Sequence, residues 1–262
     1  MAYTQLNPRF TPGSRVEQIS DDPPHFLLSI PSGKADEYRL AQLDDYAQLA
    51  RGRFSHRFGQ DPSATLRISL SLSARTSSDS IPGTWGFGLW NDPFGLSIGY
   101  GSKPFRLPAL PNAVWFFGAS KENHLSFSDK SANGFLVQSF RSPRFHPLMI
   151  PAGLAFPFSR KMTRRLMSRV IAEDGIELSR GDRPVAPTDW HKYSLKWSPN
   201  RVSFEVDDAK VFESDVSPNP PLGSVFWIDN QYAAFTPEGK IGFGVLENPE
   251  PAWLEIKDLE IG

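Results

Sequence analysis

Apolar and polar residues alternate over short runs along most of the chain, the pattern of strands with one buried and one exposed face. The runs are His25–Ile30, Ala64–Ala74, Thr84–Trp90, Ala113–Ala119, His124–Ser128, Gly134–Phe140, Tyr193–Trp197, Val202–Val206, Ser224–Asp229, Lys240–Val245 and Trp253–Ile261. Proline and glycine, 24 and 20 residues respectively, fall in nearly every gap and mark turns between strands. Many short strands with turn residues between them predict an all-β chain, a two-sheet antiparallel sandwich of jelly-roll type. No internal repeat interrupts the pattern, and 262 residues suffice for one large β-domain, so a single domain over 1–262 is expected.

Two stretches depart from period two. Leu40–Arg51 has apolar residues at Leu40, Leu43, Tyr46, Ala47 and Ala50, which reads as a helical or turn-like segment, or as a loop packed on a sheet. The larger departure is a helical insert at about 145–174. An apolar stretch, Pro147–Phe158, leads into an amphipathic helix over 159–171, with Met162, Leu166 and Val170 on one stripe and Met167 and Ile171 beside it. Arg160, Lys161, Arg164, Arg165 and Arg169 supply its polar face, and Ser159 can act as N-cap. Three roles are open to the insert: a solvated helix over one sandwich edge, a lid over a ligand cleft, or a contact with an anionic membrane surface through the helix 159–171. Met149, Met162 and Met167 give it an adaptable surface, which favours the lid over the membrane contact.

Composition narrows the functions. A net charge of -1 gives no basic excess, so no nucleic-acid partner is expected. With no cysteine, disulfides, thiol nucleophiles and cysteine metal sites are excluded. The first residues show no charged segment followed by an apolar one, and no run is long enough to span a bilayer, so a cytoplasmic location is expected.

The segment from Asp189 to Glu213 carries the most specific pattern, Trp-His-x-Tyr-x-Leu-x-Trp-x-Pro-x-Arg-Val-x-Phe-x-Val-Asp, two alternating strands joined by Ser198-Pro199-Asn200 and followed by a further strand. It resembles the back-sheet hairpin of concanavalin A-like sandwiches, notably the laminarinase and lichenase type of glycoside hydrolase. The resemblance implies that fold. It also implies a strand carrying Glu-x-Asp-x-x-Glu, because retaining hydrolysis needs two carboxyls about 5 Å apart. Gly83–Asp92 looks like the family's Gly/Trp-rich strand, yet the strand that follows reads Asn112-Ala-Val-Trp-Phe-Phe-Gly-Ala-Ser120, without a carboxylate. The motif is absent from the whole chain, and Glu255-Ile-Lys-Asp-Leu-Glu260 has other spacing.

Aromatic residues stand where the acids would be. Trp85 and Phe87 share one face of their strand, and Trp115 and Phe117 share one face of theirs. These four are candidate ligand-binding residues on a concave cleft; alternation requires that one set on each strand fills the core, and either set could. The polar run Phe226–Tyr232 adds Trp227 as a stacking platform and Asp229, Asn230 and Gln231 as polar contacts. In the relatives the equivalent strand crosses the concave face. Asp92, in the turn Asn91-Asp92-Pro93, is a second acid, and an Asp desolvated in an aromatic cleft can serve as a general acid. Asp229 and Asp92 are therefore the catalytic candidates. An apolar wall with few polar groups suits a hydrophobic or mixed small molecule, bound with or without a non-hydrolytic step such as cyclisation or isomerisation. The alternatives are a carbohydrate-binding protein or a glycoside hydrolase with its acids relocated to Asp92 and Asp229, and a peripheral membrane or scaffold protein.

The histidines at 25, 56, 124, 146 and 191 have no metal-ligand spacing, and no nucleophile elbow, P-loop or dinucleotide fingerprint occurs. Neither a metal nor a cofactor is expected; a structural calcium held by backbone oxygens would leave no trace in sequence.

Overall fold

The computed structural model describes residues 6–46, 68–92, 110–124, 126–127, 133–143, 160–180, 183–238 and 240–262. The strands are β1 (Asn7–Phe10), β2 (Arg15–Asp21), β3 (Pro24–Ile30), β4 (Leu40–Asp44), β5 (Ile68–Thr76), β6 (Thr84–Trp90), β7 (Ala113–Ala119), β8 (Gly134–Arg141), β9 (Ala172–Glu177), β10 (His191–Ser198), β11 (Arg201–Val206), β12 (Ala209–Ser214), β13 (Gly223–Asp229), β14 (Gln231–Phe235), β15 (Ile241–Val245) and β16 (Ala252–Ile261); helix α1 is Arg160–Val170. A front sheet runs β1-β4-β13-β6-β7-β8-β9, a back sheet β12-β11-β10-β5-β16-β3-β2, and β14 and β15 pair apart from both. Every strand pairing within the two large sheets is antiparallel.

Side-chain parity explains the sandwich. On β5, Ile68, Leu70, Leu72 and Ala74 turn inward while Ser69, Ser71, Ser73 and Arg75 turn outward. The predicted hairpin is β10–β11, with Tyr193, Leu195 and Trp197 buried on one strand opposite Val206, Phe204 and Val202 on the other. These meet Trp85, Phe87, Leu89, Val114, Phe116, Phe226 and Ile228 from the front sheet in one core. The Phe116 ring lies 4.9 Å from Tyr193 and 5.3 Å from Phe204, so the two sheets interlock through aromatic contacts. Each such side chain contributes about 1.5–3 kcal/mol when it leaves water.

Several expectations are corrected. Leu40–Asp44 is strand β4 rather than a helix, paired between β1 and β13, with Ala41 and Leu43 in the core; residues 47–51 lie outside the described residues. His124 makes a single bridge with Ala234, exchanging backbone hydrogen bonds with Ala233 and Phe235, and Ser126 and Phe127 are not in a strand; residues 125 and 128 lie outside the described residues. The helical insert stops at Val170, and Ala172–Glu177 is edge strand β9 of the front sheet. Pro147–Ser159, including Met149 and the expected N-cap, and residues 64–67 lie outside the described residues. On α1 the expected stripe is displaced. Met162 is exposed, whereas Arg164, assigned to the polar face, is buried and donates to the backbone oxygens of Phe235 (3.1 Å) and Ser126 (3.1 Å). Lys161, Arg165 and Arg169 do face outward. No helix among the described residues is long and apolar enough to cross a membrane.

Candidate functional site

Register and parity together decide what meets on the outer face of the front sheet. One cross-strand row reads Asn7, Asp44, Val225, Gly88, Trp115, Gln138, Gly175. The next reads Arg9, Gln42, Trp227, Gly86, Phe117, Leu136, Glu177. Trp90, Ala113, Phe140 and Glu173 form a row on one flank, and Leu40, Asp229, Thr84 and Ala119 a row on the other.

Gly86 and Gly88 make the aromatic packing possible. A Cβ on Gly86 would stand 2.8 Å from the Trp227 ring, and one on Gly88 would stand 2.6 Å from Cβ of Trp115. With no side chain on those positions of β6, the large residues of β13 and β7 close over the strand between them. Trp115 is the hub. Its ring centroid lies 5.4 Å from Trp90, 5.4 Å from Phe117 in a stacked arrangement, 5.6 Å from Trp227 and 6.1 Å from Phe140. Phe117 and Trp227 are 5.8 Å apart. Phe117, Trp227 and Phe140 are buried, while Trp115 and Trp90 keep part of their surface exposed. Met167, Val170 and Ile171 of the α1 region pack with Phe140, Leu110 and Ala113, closing the flank beside Trp90 and Trp115.

Of the residues predicted for the site, Trp115, Phe117, Trp227 and Asp229 meet on this face. Trp85 and Phe87 do not; they point into the core between the sheets, where Trp85 stacks on Phe135 at 5.0 Å and Phe87 meets Tyr193 at 5.1 Å. Asn230 is fully buried and committed to backbone. Its Oδ1 accepts from Arg39 N (2.8 Å), and its Nδ2 donates to the oxygens of Glu37 (2.9 Å) and Leu246 (2.9 Å). Gln231 contributes its backbone N–H, at 3.3 Å from Asp229 Oδ1. Asp92 is buried two residues after the end of β6 with φ of 45°, a conformation Asp tolerates. Asp229 pairs with Thr84 at the start of β6 and Asp92 follows the far end of that strand, so the length of β6, roughly 20 Å, separates the two acids and they do not form a pair.

Asp229 is the acid best placed beside the rings. Its Oδ1 accepts from Thr84 Oγ1 (2.7 Å), Thr84 N (3.2 Å) and Gln231 N. The Trp227 indole Nε1 donates to the same Thr84 hydroxyl at 3.0 Å. Burial pushes the Asp229 carboxyl up to about 7, against the hydrogen bonds from Thr84 and Gln231 that favour its ionised form.

At the other end of the face the buried Arg9 and Asp44 form an ion pair, Nε to Oδ2 at 2.5 Å. Gln42 Nε2 and Tyr46 N also donate to that carboxylate, at 2.7 and 3.0 Å. Desolvation nevertheless leaves Asp44 above the ordinary carboxylate range. Tyr46 packs with Trp227, Phe117 and Val225; burial, then the negative charge of Asp92, Asp44 and Asp45, holds its phenol well above the usual value. Asp44 lies opposite Val225, four residues from Asp229, which puts these carboxyls roughly 13 Å apart along β13. Both spacings exceed the separations of about 5–9.5 Å used by retaining and inverting glycosidases. No group of three or more His, Asp or Glu side chains suited to a metal ion occurs among the described residues.

Thr84, Trp90, Phe140 and Tyr46 join the site without having been picked out from sequence. The signal available for Trp90 was the parity it shares with Gly86 and Gly88, since a face bearing two glycines makes room for its neighbours' rings.

No protein-family model matches the chain, and no curated protein matches it. Solved structures do. A glycoside hydrolase family 16 endo-glucanase from Bacteroides ovatus, in complex with G4G3G-2F-DNP, is similar with a TM-score of 0.50 and 11% identity, over 100% of this chain and 96% of that one. The catalytic domain of an endo-1,3-beta-glucanase (laminarinase) from Thermotoga petrophila is similar with a TM-score of 0.47 and 10% identity, over 100% of this chain and 92% of that one. At such identity the likeness is one of fold, that of a concanavalin A-like sandwich.

Proposed function

We propose that the outer face of the front sheet binds a small molecule with an extended apolar face. The observation that carries this reading is Trp115, partly exposed at the centre of the ring array formed with Trp90, Phe117, Phe140 and Trp227. Such a floor rewards contact area rather than a dense set of hydrogen bonds. Between the rings the polar group is Gln138, which accepts from Trp115 Nε1 at 3.4 Å; Gln42, Asp44, Glu173 and Glu177 stand towards the ends of the same rows, and Asp229 lies at one edge. Asp229 then serves as the acid for a non-hydrolytic step, such as isomerisation or cyclisation of the bound molecule, because a carboxyl with a value near 7 still holds its proton close to neutrality.

A second reading is a carbohydrate ligand. The fold shared with the Bacteroides ovatus endo-glucanase favours it, as does the exposed part of Trp115, which can stack on a sugar ring. The spacing of Asp229 from Asp44 and from Asp92 argues against a two-carboxylate pair that includes Asp229.

Tryptophan fluorescence titration separates the two, with 1-anilinonaphthalene-8-sulfonate and a mixed-linkage β-glucan oligosaccharide as probes and Trp115→Ala as the control. Saturable binding of the naphthalene dye that is lost in Trp115→Ala supports the apolar reading. Binding of the oligosaccharide alone replaces it with the carbohydrate reading, and binding of neither overturns both.

A further inference from the structure

We infer that Thr84 is a positioning residue for Asp229: its hydroxyl, held by the Trp227 indole, occupies Oδ1 and leaves Oδ2 to carry the carboxyl proton toward an acceptor oxygen of the ligand. This rests on the ligand-face reading above and adds the chemistry of one ligand contact.

The direction of the chain follows from donor inventory. An indole N–H can only donate, so Thr84 Oγ1 accepts from Trp227 at 3.0 Å. The single hydroxyl proton of Thr84 is then committed to Asp229 Oδ1, 2.7 Å away. Two backbone N–H groups, of Thr84 and Gln231, converge on the same oxygen at 3.2 and 3.3 Å. An oxygen accepting three hydrogen bonds is the poor place for a proton. When Asp229 is protonated the proton therefore sits on Oδ2, which has no hydrogen-bond partner among the described residues. The side chains flanking Asp229 in the sheet are Leu40 on β4 and Thr84 on β6, neither of them charged. Burial is the dominant influence on the carboxyl, and no charged group among the described residues offsets it. A neutral carboxylic acid at the rim of an aromatic floor is a hydrogen-bond donor, so the ligand carries a carbonyl, ether or hydroxyl oxygen at that edge of its apolar body.

The Thr84 role is tested without ligand. The Asp229 carboxyl is followed by 13C NMR against pH in protein labelled at aspartate, with Asp229→Asn identifying its signal. The wild type titrates near 7. Thr84→Val removes a hydroxyl that favours the ionised form and raises the midpoint by about one pH unit; Thr84→Ala, which adds no methyl branch, gives the same rise should the valine variant fail to fold. Thr84→Ser restores the wild-type midpoint, and the Trp227 indole 15N shift moves and returns with it. A purely packing role for Thr84 would alter stability and leave the midpoint in place, and that outcome, or a wild-type midpoint in the ordinary carboxylate range, overturns the assignment.

The ligand contact is tested with a matched probe pair, 2-acetonaphthone and 2-isopropenylnaphthalene, which differ by a carbonyl oxygen against a methylene. At pH 6 the ketone gains about tenfold from the hydrogen bond, and the gain disappears at pH 8.5. Asp229→Asn, which keeps Oδ1 and places an amide donor at the other position, retains the preference at both pH values. Equal, pH-independent binding of the two probes overturns the Oδ2 contact and leaves the aromatic reading standing. Failure of both probes to bind overturns the aromatic reading and the Oδ2 contact together, while the titration decides the Thr84 role separately.

Discussion

The ring of Trp227 lies over the backbone of Gly86 so closely that a Cβ on residue 86 would stand 2.8 Å from the indole and 2.4 Å from the carbonyl oxygen of Phe116. Backbone on one side and a buried ring on the other leave nothing that can give way cheaply. Gly86→Ala is expected to destabilise the protein by about 1–3 kcal/mol and to push Trp227 off Thr84. Urea unfolding measures the first effect and near-ultraviolet circular dichroism the second. A wild-type midpoint with an unchanged aromatic spectrum would show that the ring does not rest on that strand.

Neighbouring residues on β7 should behave in opposite ways. Phe116 faces the core and touches the rings of Phe87, Tyr193 and Phe204, so Phe116→Ala should cost about 3–5 kcal/mol. Trp115 faces outward and keeps part of its surface exposed. Trp115→Ala should lose distinctly less stability than Phe116→Ala while losing dye binding. The comparison of unfolding free energies and dye titration for the two variants fails if the alanine at 115 is the more damaging to stability.

This parity is also where sequence reading stopped. Alternation located β6, β7, β8, β10, β11, β13 and β16, because each buries one face against the opposite sheet. It could not say which face of β6 or β7 was inner, since both faces carry aromatic residues or glycine. Leu40 and Leu43, three apart, suggested a helical turn; in the sheet only Leu43 enters the core, and Leu40 lies on the outer face beside Asp229. Strand β9, Ala-Glu-Asp-Gly-Ile-Glu, is an edge strand with little to bury and so lacks an apolar signature. The separation of Asp92 from Asp229 depends on the pairing of β6 with β13, a non-local register that no local pattern encodes. Trp115, Phe117 and Trp227 were legible as rings on strands; that they meet over two glycines was not.

Arg9 and Asp44 supply a prediction at the far end of the face. Both side chains are out of water, 5% and 0% exposed, so removing one partner strands the other. Arg9→Met should cost about 3–5 kcal/mol at neutral pH. Without Arg9, which lowers the Asp44 value, the carboxyl protonates more readily, so the deficit should shrink as the pH is lowered. Denaturant unfolding at pH 7 and pH 5 measures both numbers, and a deficit that grows on acidification would contradict the buried ion pair.

Asp229 should make stability fall with rising pH. Its folded value, about 7, lies above the ordinary 3.8, so between these limits the folded chain holds a proton that the unfolded chain has released. The stabilisation is complete below the ordinary value, declines as the pH climbs, and is gone once the pH passes the folded value. A shift of about three units corresponds to roughly 4 kcal/mol over the whole window. Of this, about 3 kcal/mol falls between pH 5 and pH 8.5. Asp229→Asn carries no proton to lose and can accept the same three hydrogen bonds on Oδ1. The stability of the variant relative to the wild type should therefore rise by about 3 kcal/mol from pH 5 to pH 8.5. Because other titrating groups are common to both proteins, the difference between their denaturant unfolding curves isolates this carboxyl. A difference that stays constant from pH 5 to pH 8.5 would mean that Asp229 is ionised throughout and cannot act as the acid of the site.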